Sequence, residues 1–261
     1  MKRVQRPALP SRVAQYLVRQ QQKWAEKQSA DAPDMEAFWK SRRATRTVGQ
    51  ALKALQQAMG PTEPCMYCVD NHGTDIEHFW PKGPYPEKAF DWDNWLLCCT
   101  ECGRIKGVKF PLDAQQQPLL INPTEEDPWA CLDFDPDTGN LVPRFDLSTN
   151  DWVPKGAATV DVLQLDRREA LAQRYQKTYQ RLCRKVDDAL VNPELDASAW
   201  VEDLLATDDH GLLSWCIRGA GQFRGQFNAL RQSHPQLWQL CQHQLTIKSA
   251  FSPMNTSASS Y

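Results

Sequence analysis

Two CxxC elements, Cys65-Met66-Tyr67-Cys68 and Cys99-Thr100-Glu101-Cys102, constrain this chain more than any other feature. Each delivers two thiolates from a tight turn, so the pair offers the four corners of a tetrahedral zinc site. Thirty residues separate Cys68 from Cys99, more than a simple zinc ribbon needs, so further structure is built into the insert. Cys98 is a spare thiol that could replace Cys99 only by spoiling the spacing. The nine cysteines are an odd number, five crowded between Cys65 and Cys102 and the rest scattered singly. That is no secreted disulfide framework, and it points to a reducing cytoplasm.

The insert carries Asp75-Ile76-Glu77-His78-Phe79-Trp80-Pro81-Lys82, then Trp92-Asp93-Asn94-Trp95-Leu96-Leu97. Hydrolysis of a phosphodiester needs a base to activate water, a cation to offset the developing negative charge, and a group to orient the base. His78 titrates in the right range for the base. Glu77 is a hard oxygen ligand suited to Mg²⁺ or Mn²⁺, and Asn94 can fix the imidazole through its amide. Taken singly, each has a structural explanation; bracketed by two zinc knuckles, they read as one centre.

The order CxxC, DIEHFxPK, WDNxLLxC, CxxC, then Lys106-Gly107 and Phe110-Pro111, resembles the HNH nucleases with a ββα-metal fold. More narrowly it is similar to the HNH subunits of Septu and retron-Septu anti-phage systems, the PtuB family. The start Met1-Lys2-Arg3-Val4, the Leu119–Pro123 and Glu126–Pro128 segments, and Val162–Arg167 extend the likeness. The resemblance implies a metal-dependent endonuclease in which His78 is the general base, Glu77 a metal ligand and Asn94 the middle asparagine. The family's third position falls on Gly103, which has no side chain to coordinate anything. Either Glu77 holds the ion with phosphate and water, helped by Asp75, or the metal site is weakened. The partners implied are DNA, RNA or a tRNA as substrate, a PtuA-type ATPase, and in some systems a retron reverse transcriptase with its reverse-transcribed DNA. Gly103 also motivates an alternative, a catalytically degenerate zinc-stabilised adaptor that docks protein partners.

The expected fold class is α+β and mostly helical, with the zinc-stapled module, residues 61–111, embedded between helical segments. Residues 1–60 carry twelve Lys or Arg against four acids, and helices are expected from Ser11 to about Lys27 and from Asp34 to Met59. Arg42, Arg43 and Arg46 are phosphate contacts or a solvated face. So too are Arg104, Lys106 and Lys109, and Lys82 is expected with Arg104 and Lys106 on the nucleic-acid backbone. Residues 112–160 form an acidic, loop-rich segment whose Asp135–Asn140 run predicts a turn. Residues 161–250 are helical again, with Leu171, Tyr175, Tyr179, Leu182 and Val186 spaced as a buried stripe. The Ser-rich end, 251–261, is expected to be disordered. Net charge is only −2, so phosphate contact is expected from the first segment and the module, with the acidic segment or carboxy-terminal helices left for docking. No apolar run is long enough to span a membrane.

Overall fold

The computed structural model describes residues 1–30 and 34–250; the expected disordered tail, 251–261, lies outside the described residues. In α1 (Ser11–Ala30) the buried residues Val13, Leu17, Gln20 and Trp24 recur every three or four positions, which gives the helix one inward face. The expected single helix from Asp34 to Met59 is in fact two. Asp34 caps α2 (Met35–Arg43) by accepting from Glu36 N at 2.8 Å. Thr45 then ends that helix and starts α3 (Arg46–Met59): its hydroxyl donates to Arg42 O at 2.8 Å and accepts from Val48 N at 3.4 Å. A threonine that satisfies both helix ends competes with continuous helix, which apolar spacing alone does not reveal. Gly60, at φ +93°, terminates α3 where a side chain would be strained.

The module follows as an antiparallel hairpin and a short helix. Strand β1 (Asp75–His78) pairs with β2 (Trp95–Cys98) in the register Asp75 with Cys98 and His78 with Trp95. Helix α4 (Thr100–Lys106) starts directly behind β2, with Cys99 as its cap. Burial alternates along β1, so Ile76 and His78 are buried while Asp75 and Glu77 lie on the other, partly exposed face.

The acidic segment holds two small hairpins. Strands β3 (Leu132–Phe134) and β4 (Leu141–Pro143) close across the predicted Asp135–Asn140 turn, and β5 (Phe145–Asp146) pairs with β6 (Asp151–Trp152). Helix α5 (Pro154–Leu163) runs through the boundary expected at residue 160, and Pro154 suits its first turn. The long α6 (Glu169–Val191) buries Leu171, Tyr175, Leu182 and Val186 as its spacing requires, with Tyr179 half-buried. Helices α7 (Ala197–Thr207), α8 (Leu212–Arg218), α9 (Gly225–Ser233) and α10 (Pro235–Ala250) complete the described residues, with Pro235 separating the last two.

One contiguous apolar cluster runs from α1 through the module to α10. Its large members include Trp39 of α2, Trp95 of β2, Tyr175 of α6 and Trp215 of α8, each of whose burial contributes roughly 1.5–3 kcal/mol or more. Eight strand residues of the hairpin and seven of α4 could not bury such a core alone. The flanking helices are what hold the module rigid. Among the described residues no helix is long and apolar enough to cross a membrane.

Candidate zinc centre and hairpin site

The two knuckles converge. The sulfurs of Cys65, Cys68, Cys99 and Cys102 all lie within 4.8 Å of one another, and every one is buried. Cys68 Sγ is 3.9 Å from Cys99 Sγ, close to the edge of about 3.8 Å expected for a tetrahedron with Zn–S bonds of about 2.3 Å. These four residues fit zinc, which when bound would supply folding energy by joining the turn before β1 to the start of α4. Burial pushes the Cys65 thiol well above its ordinary range, so the thiolate form needs a cation beside it.

Cys98 stands next to this set. Its Sγ is 4.0 Å from Cys65 Sγ and donates to Cys99 O at 3.3 Å, so it lies between the knuckles and the hairpin. Arg168, the residue before α6, donates from Nη1 to Cys102 Sγ at 3.3 Å and from Nη2 to the Glu101 carboxylate. A guanidinium on a ligand sulfur offsets the negative charge of four thiolates. Sequence reasoning missed Arg168, which lies 66 residues from Cys102 with no local pattern to mark it. Tyr175 adds a brace from the other side, its hydroxyl donating to Cys68 O at 3.0 Å.

At the end of β1, His78 is only 4 % exposed. Its Nε2 lies 2.9 Å from Ala89 O. A carbonyl can only accept, so Nε2 carries the proton and Nδ1 keeps the lone pair. Trp39 of α2 packs edge-on at 4.5 Å between ring centroids, and Trp95 flanks the ring at 6.1 Å. This burial, with the charge of Lys82 second, lowers the imidazole's pKa to about 3, so it is neutral at physiological pH.

Asn94 was expected to hold the imidazole directly. Among the described residues its amide makes no hydrogen bond to the ring. Its amide nitrogen donates to Trp80 O at 3.0 Å and Lys88 O at 2.9 Å, while its oxygen accepts from Trp80 N at 2.6 Å. Asn94 therefore ties the two ends of the loop that carries Ala89, and Ala89 in turn fixes the tautomer of His78. It is a positioning residue that acts through backbone.

The carboxylates are also placed differently. Lys106 was expected either to reach the substrate backbone from α4 or to lie on its solvated face; its side chain is instead fully buried, donating to Glu77 Oε1 at 2.6 Å and to His78 O at 2.9 Å. Burial raises the Glu77 pKa, opposed by the adjacent Lys106 ammonium. Asp75 is paired with Arg43 at 3.0 Å, and Lys82 with Glu36 at 2.9 Å. A side chain at Gly103 would begin 3.7 Å from Glu77 Oε2, so the third family position does face this carboxylate and is empty of donors. The expectation that Glu77, helped by Asp75, holds a divalent cation does not fit this arrangement. An ammonium already neutralises the first, a guanidinium engages the second, and among the described residues the four cysteines are the group that assembles metal donors.

The basic first segment is likewise spent on structure in part. Arg6 donates to the carbonyls of Trp92, Trp95 and Asp93 at 2.6, 2.7 and 2.8 Å, fastening the amino-terminal stretch to β2. Arg42 donates to Gln20 at 2.9 Å and lies over Phe38. Arg104 and Lys109 remain exposed.

No family model matches the chain, and no solved structure matches it significantly. Two curated proteins do. The Septu protein PtuB of Bacillus thuringiensis is 31 % identical over 112 residues, covering 41 % of this chain and 38 % of the relative. The Septu protein PtuB of Bacillus mycoides (strain KBAB4) is 29 % identical over 140 residues, 42 % of this chain and 45 % of the relative. The chain thus spans less than half the length of each relative in these matches. This chain, with two converging cysteine knuckles, a hairpin and a short helix behind it, is related to the PtuB family of Septu proteins.

Proposed function

We propose that this chain is an HNH-type endonuclease and the nucleic-acid-cleaving component of a Septu anti-phage system. The observation that supports it best is the state of His78: a neutral imidazole of fixed tautomer, its donor nitrogen tied to Ala89 O and its basic nitrogen unspent. In the reaction Nδ1 takes a proton from the attacking water, and Ala89 O goes on accepting from the resulting imidazolium. Lys106, buried between the Glu77 carboxylate and the His78 carbonyl, holds the end of β1 in place for this step. Among the described residues the donors for a catalytic divalent ion are not assembled. With the ring 4 % exposed, a phosphodiester reaches Nδ1 only when a covering neighbour moves. Trp39 of α2 is the nearest such neighbour. A closed base suits an effector restrained by partners: a PtuA-type ATPase, and in retron forms a reverse transcriptase with its reverse-transcribed DNA. The substrate class is DNA or RNA, tRNA included.

The second reading, a zinc-stabilised adaptor, is favoured by a different observation. Gly103 leaves Glu77 without a partner donor, and Lys106 covers it. Cleavage of labelled DNA, RNA and tRNA by the zinc-loaded chain, alone and with its ATPase, separates the two readings. His78→Gln is the informative variant, since its amide can still donate to Ala89 O but cannot act as a base. We expect cleavage by the native chain and at least a hundredfold loss in this variant. Equal cleavage by both removes His78 from the mechanism; no cleavage under any condition favours the adaptor.

A further inference from the structure

Helix α6 has a second face that neither the mechanism nor the zinc centre uses. Between Arg167 and Lys185 there are seven Lys or Arg and one acid, Glu169, in a chain whose net charge is −2. Arg174, Lys177, Arg181 and Arg184 follow at steps of three and four, so they share one side of the helix, adjacent to the stripe of Leu171, Tyr175 and Leu182 that faces the core. All four are exposed.

This side is concave. The four cations line a groove of about 750 Å³ whose floor includes Val69, Pro64 and Met59. A second groove, of about 370 Å³, adjoins it, sharing Asp70 and Arg174 and reaching Ile105 of α4 beside Arg167 and Arg168. Glu169, exposed at the start of α6, accepts only from Gln173 among the described residues, while the other acids along the way are engaged, two of them by cations of the groove. Asp70 pairs with Arg174 and His210, Asp209 with Arg181, and Glu101 with Arg168. Asp208 accepts from Leu212 N and Leu213 N at the start of α8. Lys177 and Arg184 make no ion pair among the described residues.

We propose that the two grooves form one track for a phosphodiester backbone, running along α6 to the outer face of α4. From Arg174 to Arg184 the helix rises about 15 Å at about 1.5 Å per residue, the length of about four base-pair steps at about 3.4 Å of duplex axis each. Flexible cations on a helix face position a backbone without reading its sequence. The track deepens the nuclease reading and rests on it for its purpose. Binding is nonetheless measurable without cleavage.

The experiment is fluorescence anisotropy of a labelled 25-residue oligonucleotide, single- or double-stranded, with the full zinc-loaded chain carrying His78→Gln so that nothing is cut. Lys177→Gln with Arg184→Gln removes two contacts at exposed positions and should weaken binding at least tenfold. The slope of log affinity against log salt should fall by about 1.4 to 1.8, at about 0.7 to 0.9 per phosphate contact. Lys23→Gln with Lys27→Gln on α1 is the control and should change neither. Unchanged binding in the α6 variant, or loss in the α1 variant instead, overturns the track. So does displacement of the oligonucleotide by micromolar ATP, which would assign the groove to a free nucleotide. If the native chain cuts nothing yet the α6 variant still loses affinity, the nuclease reading fails and the track stands.

Discussion

Lys106 Nζ donates to Glu77 Oε1 at 2.6 Å from a side chain with no exposed surface, so this hairpin and helix are joined by a cation that the chain itself carries. Glu77 is 19 % exposed. Removing Glu77 strands a buried ammonium, whereas removing Lys106 leaves a carboxylate that water can reach. Glu77→Leu should therefore cost about 3–5 kcal/mol in denaturant unfolding and Lys106→Met clearly less. The double variant should recover part of the loss, since an apolar pair of similar volume does not need the charge. Double-variant destabilisation equal to the sum of the two singles would show that the residues are not coupled. By the same geometry the zinc-loaded chain should bind no Mn²⁺ at Glu77, read by the spectrum of the free ion.

His78 gives acid stability a definite sign. Burial lowers its folded-state pKa from 6.5 to about 3, so the unfolded chain takes up this proton first as pH falls. The stabilisation is complete above about pH 6.5 and is lost between there and about pH 3, at about 1.4 kcal/mol per pH unit. His210, also lowered by burial, adds to the slope in the same direction. His78→Gln cannot titrate, and unfolding followed from pH 6 to 4 at saturating zinc should show a slope shallower by about one proton. Identical slopes in native chain and variant would mean that His78 is solvated.

Much of the site was legible because its signals are local. The CxxC spacing of each turn and the stripe of α6 report contacts within a few residues. What escaped depends on partners far along the chain. Lys106 reads as an ordinary helix cation until Glu77, 29 residues away, is placed beside it. Arg168 gives no sign of Cys102. The break at Thr45 was hidden because the apolar spacing continues across it. The cationic side of α6 is hidden by an average charge of −2, because a net charge says nothing about one helix face.

Five thiols crowd the knuckles, yet four make the tetrahedron. Cys68→Ser should abolish stoichiometric zinc by elemental analysis and remove the cooperative thermal transition, as expected where the metal supplies folding energy. Cys98→Ala should keep one zinc per chain. Arg168→Met should keep it as well but release it to a chelator about 10- to 100-fold more readily, having lost the guanidinium on Cys102. Zinc lost from the Cys98 variant and retained in the Cys68 variant would reassign the ligand set.

Asn94 is 2 % exposed and ties three backbone groups, Trp80 N, Trp80 O and Lys88 O. Asn94→Ala leaves all three to find water inside the module, at a cost of about 1–3 kcal/mol for each that fails. Because the amide acts on the loop and the loop on His78, the expected signature is spatially ordered. Hydrogen exchange should rise across residues 79–93, while the knuckles around Cys65 and Cys99 keep their protection and their zinc. Activity should fall together with loop protection, and mild stabilising solutes that restore the one should restore part of the other. Lost activity with an unchanged exchange pattern would place the Asn94 amide on the substrate itself, a role that its present bonds to Trp80 and Lys88 leave no donor to fill.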